Sequence, residues 1–179
     1  MDSKSFAEMA VHVPMCTHKE PSCVLVLGAT QEIRNEFEKY SAKIEFVDTL
    51  SDVVSKNEKT FDIVIFIGEK PNEIVLANLE KIIKNDGIFA FLSSHYNSNF
   101  DELCQDLKIV GKNFWIAMPY TFDKNCMILA SKIYHPTADI ILQRSDLLDN
   151  LDYYSTEIHG ASFVMPASIF KKLTNIAKR

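Results

Sequence analysis

Apolar positions along the chain fall into short unbroken runs separated by stretches with helical spacing. The first run, Ser22-Cys23-Val24-Leu25-Val26-Leu27-Gly28, is closed by glycine and predicts a strand buried on both faces, as in a parallel sheet. Residues 31–40 place Ile33, Phe37 and Tyr40 at helical spacing, and 44–48 form a second strand ending in Asp48. A third run, 61–68, is β-branched and again closed by glycine. Residues 72–84 put Ile74, Leu76, Leu79, Ile82 and Ile83 on one broad helical face; Asn85-Asp86-Gly87 then reads as a turn before a strand over 88–92. Helices are predicted at 100–107, 140–148 and 167–178, and strands at 114–119 and 126–131. Alternating strands and helices predict a doubly wound α/β domain with right-handed crossovers. The last two strands are joined by a turn only, so they must be antiparallel. Trp115 lies in an apolar strand and is expected in the core.

Composition narrows the classes of function. An apolar fraction of 47% and a charged fraction of 24% suit one globular domain, and 179 residues can bury a real core. The formal charge of -5 argues against a general nucleic-acid binder, and the basic tail Lys171, Lys172, Lys178, Arg179 reads as a solvated helix face. Cys16, Cys23, Cys104 and Cys126 lack the spacing of a metal site and read as free thiols, which fits a reducing, cytoplasmic setting. The stretch Met1-Asp2-Ser3-Lys4-Ser5-Phe6 lacks a signal-peptide core, and no window reaches the roughly 18 apolar residues of a membrane span. His12, His18, His95 and His135 show no partner pattern and are expected to be surface or satisfied histidines.

The loop Gly28-Ala29-Thr30-Gln31-Glu32 stands where a glycine-rich loop would let backbone amides approach a nucleoside, but it keeps one glycine and serves equally as a plain strand-to-helix turn. Asp48 has the position of an acid that hydrogen-bonds ribose hydroxyls; a strand-end aspartate also forms turns or caps helices. The interval from Asp48 to Phe61 is short and carries Asp52 near its start. Tyr153, Tyr154 and His159 read, on residue type alone, as half-buried amphipathic residues packing a terminal segment.

Parallel strands finishing in an antiparallel hairpin resemble the Rossmann-like sheet of class I methyltransferases. Three segments carry a closer resemblance: Phe6-Ala7-Glu8-Met9 with Val11-His12-Val13-Pro14; Met118-Pro119-Tyr120-Thr121 leading to Ala130-Ser131-Lys132; and Tyr153-Tyr154 with His159-Gly160-Ala161-Ser162-Phe163-Val164-Met165-Pro166. In this order they resemble the polyamine aminopropyltransferases, the spermidine synthase family. The resemblance covers almost the whole chain as one domain, with the family's small N-terminal β-domain absent before Phe6. It implies decarboxylated S-adenosylmethionine as co-substrate without a tightly bound cofactor, and putrescine or another polyamine as partner. Gly28, Asp48 and Asp52 would be cofactor-binding, Glu8, Tyr153, Tyr154 and His159 substrate-binding. No metal, nucleic acid or membrane is implied, and surface left by the absent β-domain suggests a homodimer.

The departures fall on the chemistry. After the third strand the family carries two aspartates, one of them the base; they fall at Ile67 and Lys70 here. Isoleucine cannot accept a proton, lysine would repel a polyamine, and Glu69 is the nearby carboxylate left as substitute base. Reduced or lost activity is therefore expected. The alternatives are a non-catalytic polyamine- or nucleoside-binding or partner protein, and a methyltransferase-like user of S-adenosylmethionine.

Overall fold

The computed structural model describes residues 4–179; Met1 to Ser3, part of the stretch read above for a signal peptide, lie outside them. A buried helix α1 (Lys4–Thr17) leads into β1 (Cys23–Leu27), α2 (Gln31–Phe37), β2 (Lys43–Val47), α3 (Leu50–Val54), β3 (Phe61–Phe66), α4 (Glu73–Ile82), β4 (Ile83–Ser93) and α5 (Phe100–Val110). The hairpin β5 (Ile116–Phe122) and β6 (Asn125–Ser131) follows, then three short helices, α6 (Leu142–Ser145), α7 (Thr156–Ser162) and α8 (Ala167–Leu173). The six strands form one sheet in the order β2-β1-β3-β4-β6-β5, parallel from β2 to β4 and antiparallel through β6 and β5. The predicted mainly parallel α/β sheet with a final hairpin is the observed one.

Strand alternation divides the core into two layers. Val24, Val26, Ile63, Ile65 and Ile67 face α1, α2 and the C-terminal segment around Tyr154 and Phe163. Leu25, Leu27, Val64, Phe66, Phe89 and Phe91 face α4, α5 and Leu173 of α8. Helix α1 is buried from Phe6 to Thr17 on every side, so it carries no amphipathic stripe, and the periodicity of its sequence gave no helix signal. Between β2 and β3 the chain has room for the five-residue α3 alone, which leaves β2 at the sheet edge.

Several expectations need correction. The Asn85-Asp86-Gly87 turn is instead part of β4, where the pairing with β3 jumps from Phe61↔Ile83 to Ile63↔Ile88. Gly87 is required in this bulge, because a Cβ there would lie 2.2 Å from Ile83 Cγ2 and 3.1 Å from the Asp62 carbonyl. The helix predicted over 140–148 shrinks to α6. The Arg144 guanidinium donates to the carbonyls of Met15, His18 and Lys19, and Ile141 N–H to that of Cys16, so this stretch is tied to the end of α1. The last helix stops at Leu173; Asn175 takes a positive φ of 67° and Lys178 pairs with Ala117 of β5. Trp115 is 80% exposed, because it precedes β5 on the outer edge of the sheet rather than facing either layer.

Candidate functional site

In an open parallel sheet, ligands bind beyond the C-terminal ends of the strands. That edge carries Gly28 after β1, Asp48 after β2, Ile67 to Lys70 after β3, and Ser93 and Ser94 at β4. Gly28 N–H donates to the Val47 carbonyl, and Ile67 N–H to that of Leu27, both at 3.0 Å, so the three strand ends are stitched together. Gly28 has a φ of +77°, and a Cβ on it would stand 3.1 Å from Gly68 N. The glycine is thus fixed by the approach of the two loops and by its left-handed backbone.

The expected cofactor acids behave differently from one another. Asp48 is exposed, and among the described residues no side chain engages it. Asp52, by contrast, accepts from the Thr49 hydroxyl at 2.6 Å and donates its own N–H to that oxygen at 3.3 Å. It belongs to the N-terminal cap of α3, which accounts for its presence without a ligand.

At the position where the resemblance leads one to expect a base, Ile67 is 4% exposed and packs into the apolar layer that holds α1 and Tyr154. Glu69 is exposed beside it, with no side-chain partner among the described residues. Lys70 does not project as a free cation: its ammonium contacts Glu102 at 2.6 Å and Asp106 at 2.8 Å, and these carboxylates also accept from Ser94 and from Ser93. The expected repulsion of a cationic ligand is therefore locally offset by two negative charges.

Glu8, Tyr153, Tyr154 and His159 do come together, although 142 residues or more separate α1 from the closing segment in its contacts. The Glu8 carboxylate is fully buried and accepts the backbone N–H groups of Asp152, Tyr153 and Tyr154 at 2.8, 2.8 and 2.7 Å. His159 Nε2 lies 2.9 Å from the Pro136 carbonyl, which can only accept, so Nε2 carries the hydrogen and Nδ1 accepts from the Tyr154 hydroxyl at 2.9 Å. Burial pushes His159 down to about 4 and holds the Tyr154 phenol well above its ordinary value, so both are neutral near pH 7. Tyr154 and His159 are buried outright rather than half-buried, while Tyr153 keeps partial exposure.

A second polar group adjoins this one and was missed in the sequence. His12 of α1 bonds Tyr40 Oη at 2.7 Å through Nδ1 and Glu36 at 2.9 Å through Nε2, and its ring lies 5.1 Å from that of Tyr154. Burial favours neutral His12, against the pull of Glu36; burial alone would raise Glu36, but His12 and Lys39 outweigh it and hold it low. The i,i+4 spacing of Glu36 and Tyr40 was the available signal, but nothing in the sequence says that α1 lies against that face. These networks position α1, α2 and the closing segment around Ile67.

No family profile matches the chain. Relatives nonetheless exist. The polyamine aminopropyltransferase of Helicobacter acinonychis is 27% identical across 91% of this chain and 74% of its own length. The Helicobacter pylori protein of the same name (strain ATCC 700392 / 26695) matches at 27% over the same shares. Spermidine synthase from Thermotoga maritima superposes with a TM-score of 0.78 at 22% identity, covering 97% of this chain and 76% of that one. A spermidine synthase bound to the transition-state analogue AdoDATO gives 0.79 at 22% identity, over 97% and 75%. The three motif segments, the order of the sheet and these likenesses agree: the chain is similar to the polyamine aminopropyltransferases in sequence and shares the fold of the spermidine synthases.

Proposed function

We propose that this chain is an aminopropyltransferase scaffold in which transfer from decarboxylated S-adenosylmethionine to putrescine is reduced or lost. In that reaction an amine nitrogen attacks the aminopropyl carbon beside the sulfonium. A C–N bond forms, the C–S bond breaks, methylthioadenosine leaves, and the amine gives up a proton. A carboxylate at the end of β3 would take that proton and orient the amine. The observation that carries the proposal is the burial of Ile67 in an apolar layer at that position. Glu69, exposed two residues further on, lacks the desolvated setting that tunes a general base.

A binding role without turnover is the second reading, favoured by one feature: Asp48 is free and exposed where a ribose would be held. Calorimetric titration with decarboxylated S-adenosylmethionine, methylthioadenosine, S-adenosylmethionine and putrescine separates the readings. Saturable nucleoside binding that Asp48→Asn abolishes supports retained binding. Failure of all four ligands to bind would remove it.

A further inference from the structure

At the opposite end of the sheet, three side chains converge for which the reading above has no use. His18 follows α1 and is 2% exposed, and its Nε2 is buried without a hydrogen-bond partner. It points between Asp62 Oδ1 of β3 at 4.0 Å and Asp86 Oδ2 of the β4 bulge at 3.8 Å. The three atoms all lie within 4.8 Å of one another. Asp62 is 4% exposed, and its other oxygen accepts from Ser22 N, Ser22 Oγ and Cys23 N at 3.0, 2.8 and 2.8 Å. The Tyr134 ring closes the group at 4.9 Å from His18, with its hydroxyl 3.4 Å from Asp86 Oδ2. A buried donor aimed at two carboxylates beyond bonding distance is rare in folded proteins and is an arrangement that a bound ion completes.

We propose that His18, Asp62 and Asp86 form a binding site for a divalent transition ion of the zinc class, pinning the end of α1 to β3 and β4. One imidazole and two carboxylates are a borderline ligand set suited to Zn²⁺ rather than to calcium or magnesium. A point equidistant from the three atoms lies within about 2.5 Å of each, so contraction by a few tenths of an ångström gives zinc-like lengths. Two groups must yield. Lys84 Nζ, 2.8 Å from Asp62 Oδ1, is the cation that balances this carboxylate now; its side chain is 35% exposed and swings into water, so one positive group replaces another. His18 Nδ1 accepts from Glu20 N at 3.2 Å, which places the ring hydrogen on Nε2. On ligation that hydrogen moves to Nδ1, the ring stays neutral, and Glu20 N–H turns out in its exposed bend.

The test is a titration of the purified protein with Co²⁺ followed by visible absorption, with Zn²⁺ as competitor. One equivalent of saturable d–d absorption is expected, without the thiolate charge-transfer band that binding at a cysteine would give, and reversed by Zn²⁺. Asp86→Asn, at a side chain 41% exposed, should weaken binding about tenfold or more while the protein stays folded. Lys84→Met should tighten it, since it removes the competing ammonium. Absence of saturable bands, a thiolate band, an Asp86→Asn curve superimposable on that of the parent, or no tightening in Lys84→Met would each overturn the site.

Discussion

Glu8 offers the sharpest separation between an anchoring carboxylate and one kept for a ligand. Its two oxygens hold three backbone N–H groups of residues 152–154, and no water reaches the fully buried side chain. In Glu8→Gln the amide oxygen can replace Oε2 and keep Tyr153 and Tyr154, but the NH₂ group then faces the Asp152 N–H. The buried amide NH₂ then goes unpaired, which costs about 1–3 kcal/mol, while the Asp152 N–H left facing it belongs to an exposed residue. Glu8→Ala strands all three and leaves a void, for roughly 3–5 kcal/mol. At about 2–4 °C per kcal/mol for a chain of this size, the amide should lower the melting temperature by a few degrees and the alanine by about 10 °C or more. Differential scanning calorimetry with a matched denaturant series measures both. A carboxylate held for a ligand would behave otherwise, since such sites trade stability for function and their loss is neutral or stabilising. Glu8→Gln within about 0.5 kcal/mol of the parent would refute the anchoring role.

Other expectations are independent of Glu8. His159 titrates near 4 when folded, below the unfolded value of about 6.5, so the unfolded chain takes up the proton first. Its contribution is intact above about pH 6.5 and is lost as pH falls toward 4, on the order of 3 kcal/mol; denaturation midpoints for His159→Gln should show a shallower slope in that window, and an unchanged slope would refute the assignment. Gly28→Ala should cost about 1–3 kcal/mol through its left-handed backbone and the tight contact with Gly68, with a neutral substitution in urea unfolding as the contrary result. Trp115 is the sole tryptophan and is 80% exposed, so its emission should be red-shifted and fully open to iodide quenching; blue-shifted, protected emission would place it in the core after all.

The sheet was legible because strands buried on both faces read as unbroken apolar runs, as in Val24 to Leu27 and Ile63 to Ile67. The same logic hid α1: a helix buried all round has no polar stripe, so Phe6 to Thr17 showed a motif but no period. Trp115 misled because an apolar neighbourhood in sequence does not say on which side of a sheet edge a residue falls. Asn85-Asp86-Gly87 was a true irregularity of the backbone, expressed as a bulge inside β4 instead of a turn before it. For the site, the resemblance alone marked Ile67 and Lys70 as departures. It could not show that Lys70 is neutralised by Glu102 and Asp106, since those partners lie 32 and 36 residues away. Nor could it distinguish Asp48, which no side chain among the described residues engages, from Asp52, which is bound to the Thr49 cap of α3.

The central claim, on the proposed reading, is that an aminopropyltransferase-like chain with Ile67 in place of a carboxylate does not transfer aminopropyl groups efficiently. It is tested by incubating the purified chain with decarboxylated S-adenosylmethionine and putrescine and quantifying spermidine and methylthioadenosine together. Loss of a general base typically costs about 10²–10⁴-fold, so turnover should fall at least about a hundredfold below the enzyme median of roughly 10 per second. Equal amounts of both products formed near that median rate would contradict the account, and loss of that rate in Glu69→Gln would then identify Glu69 as the base.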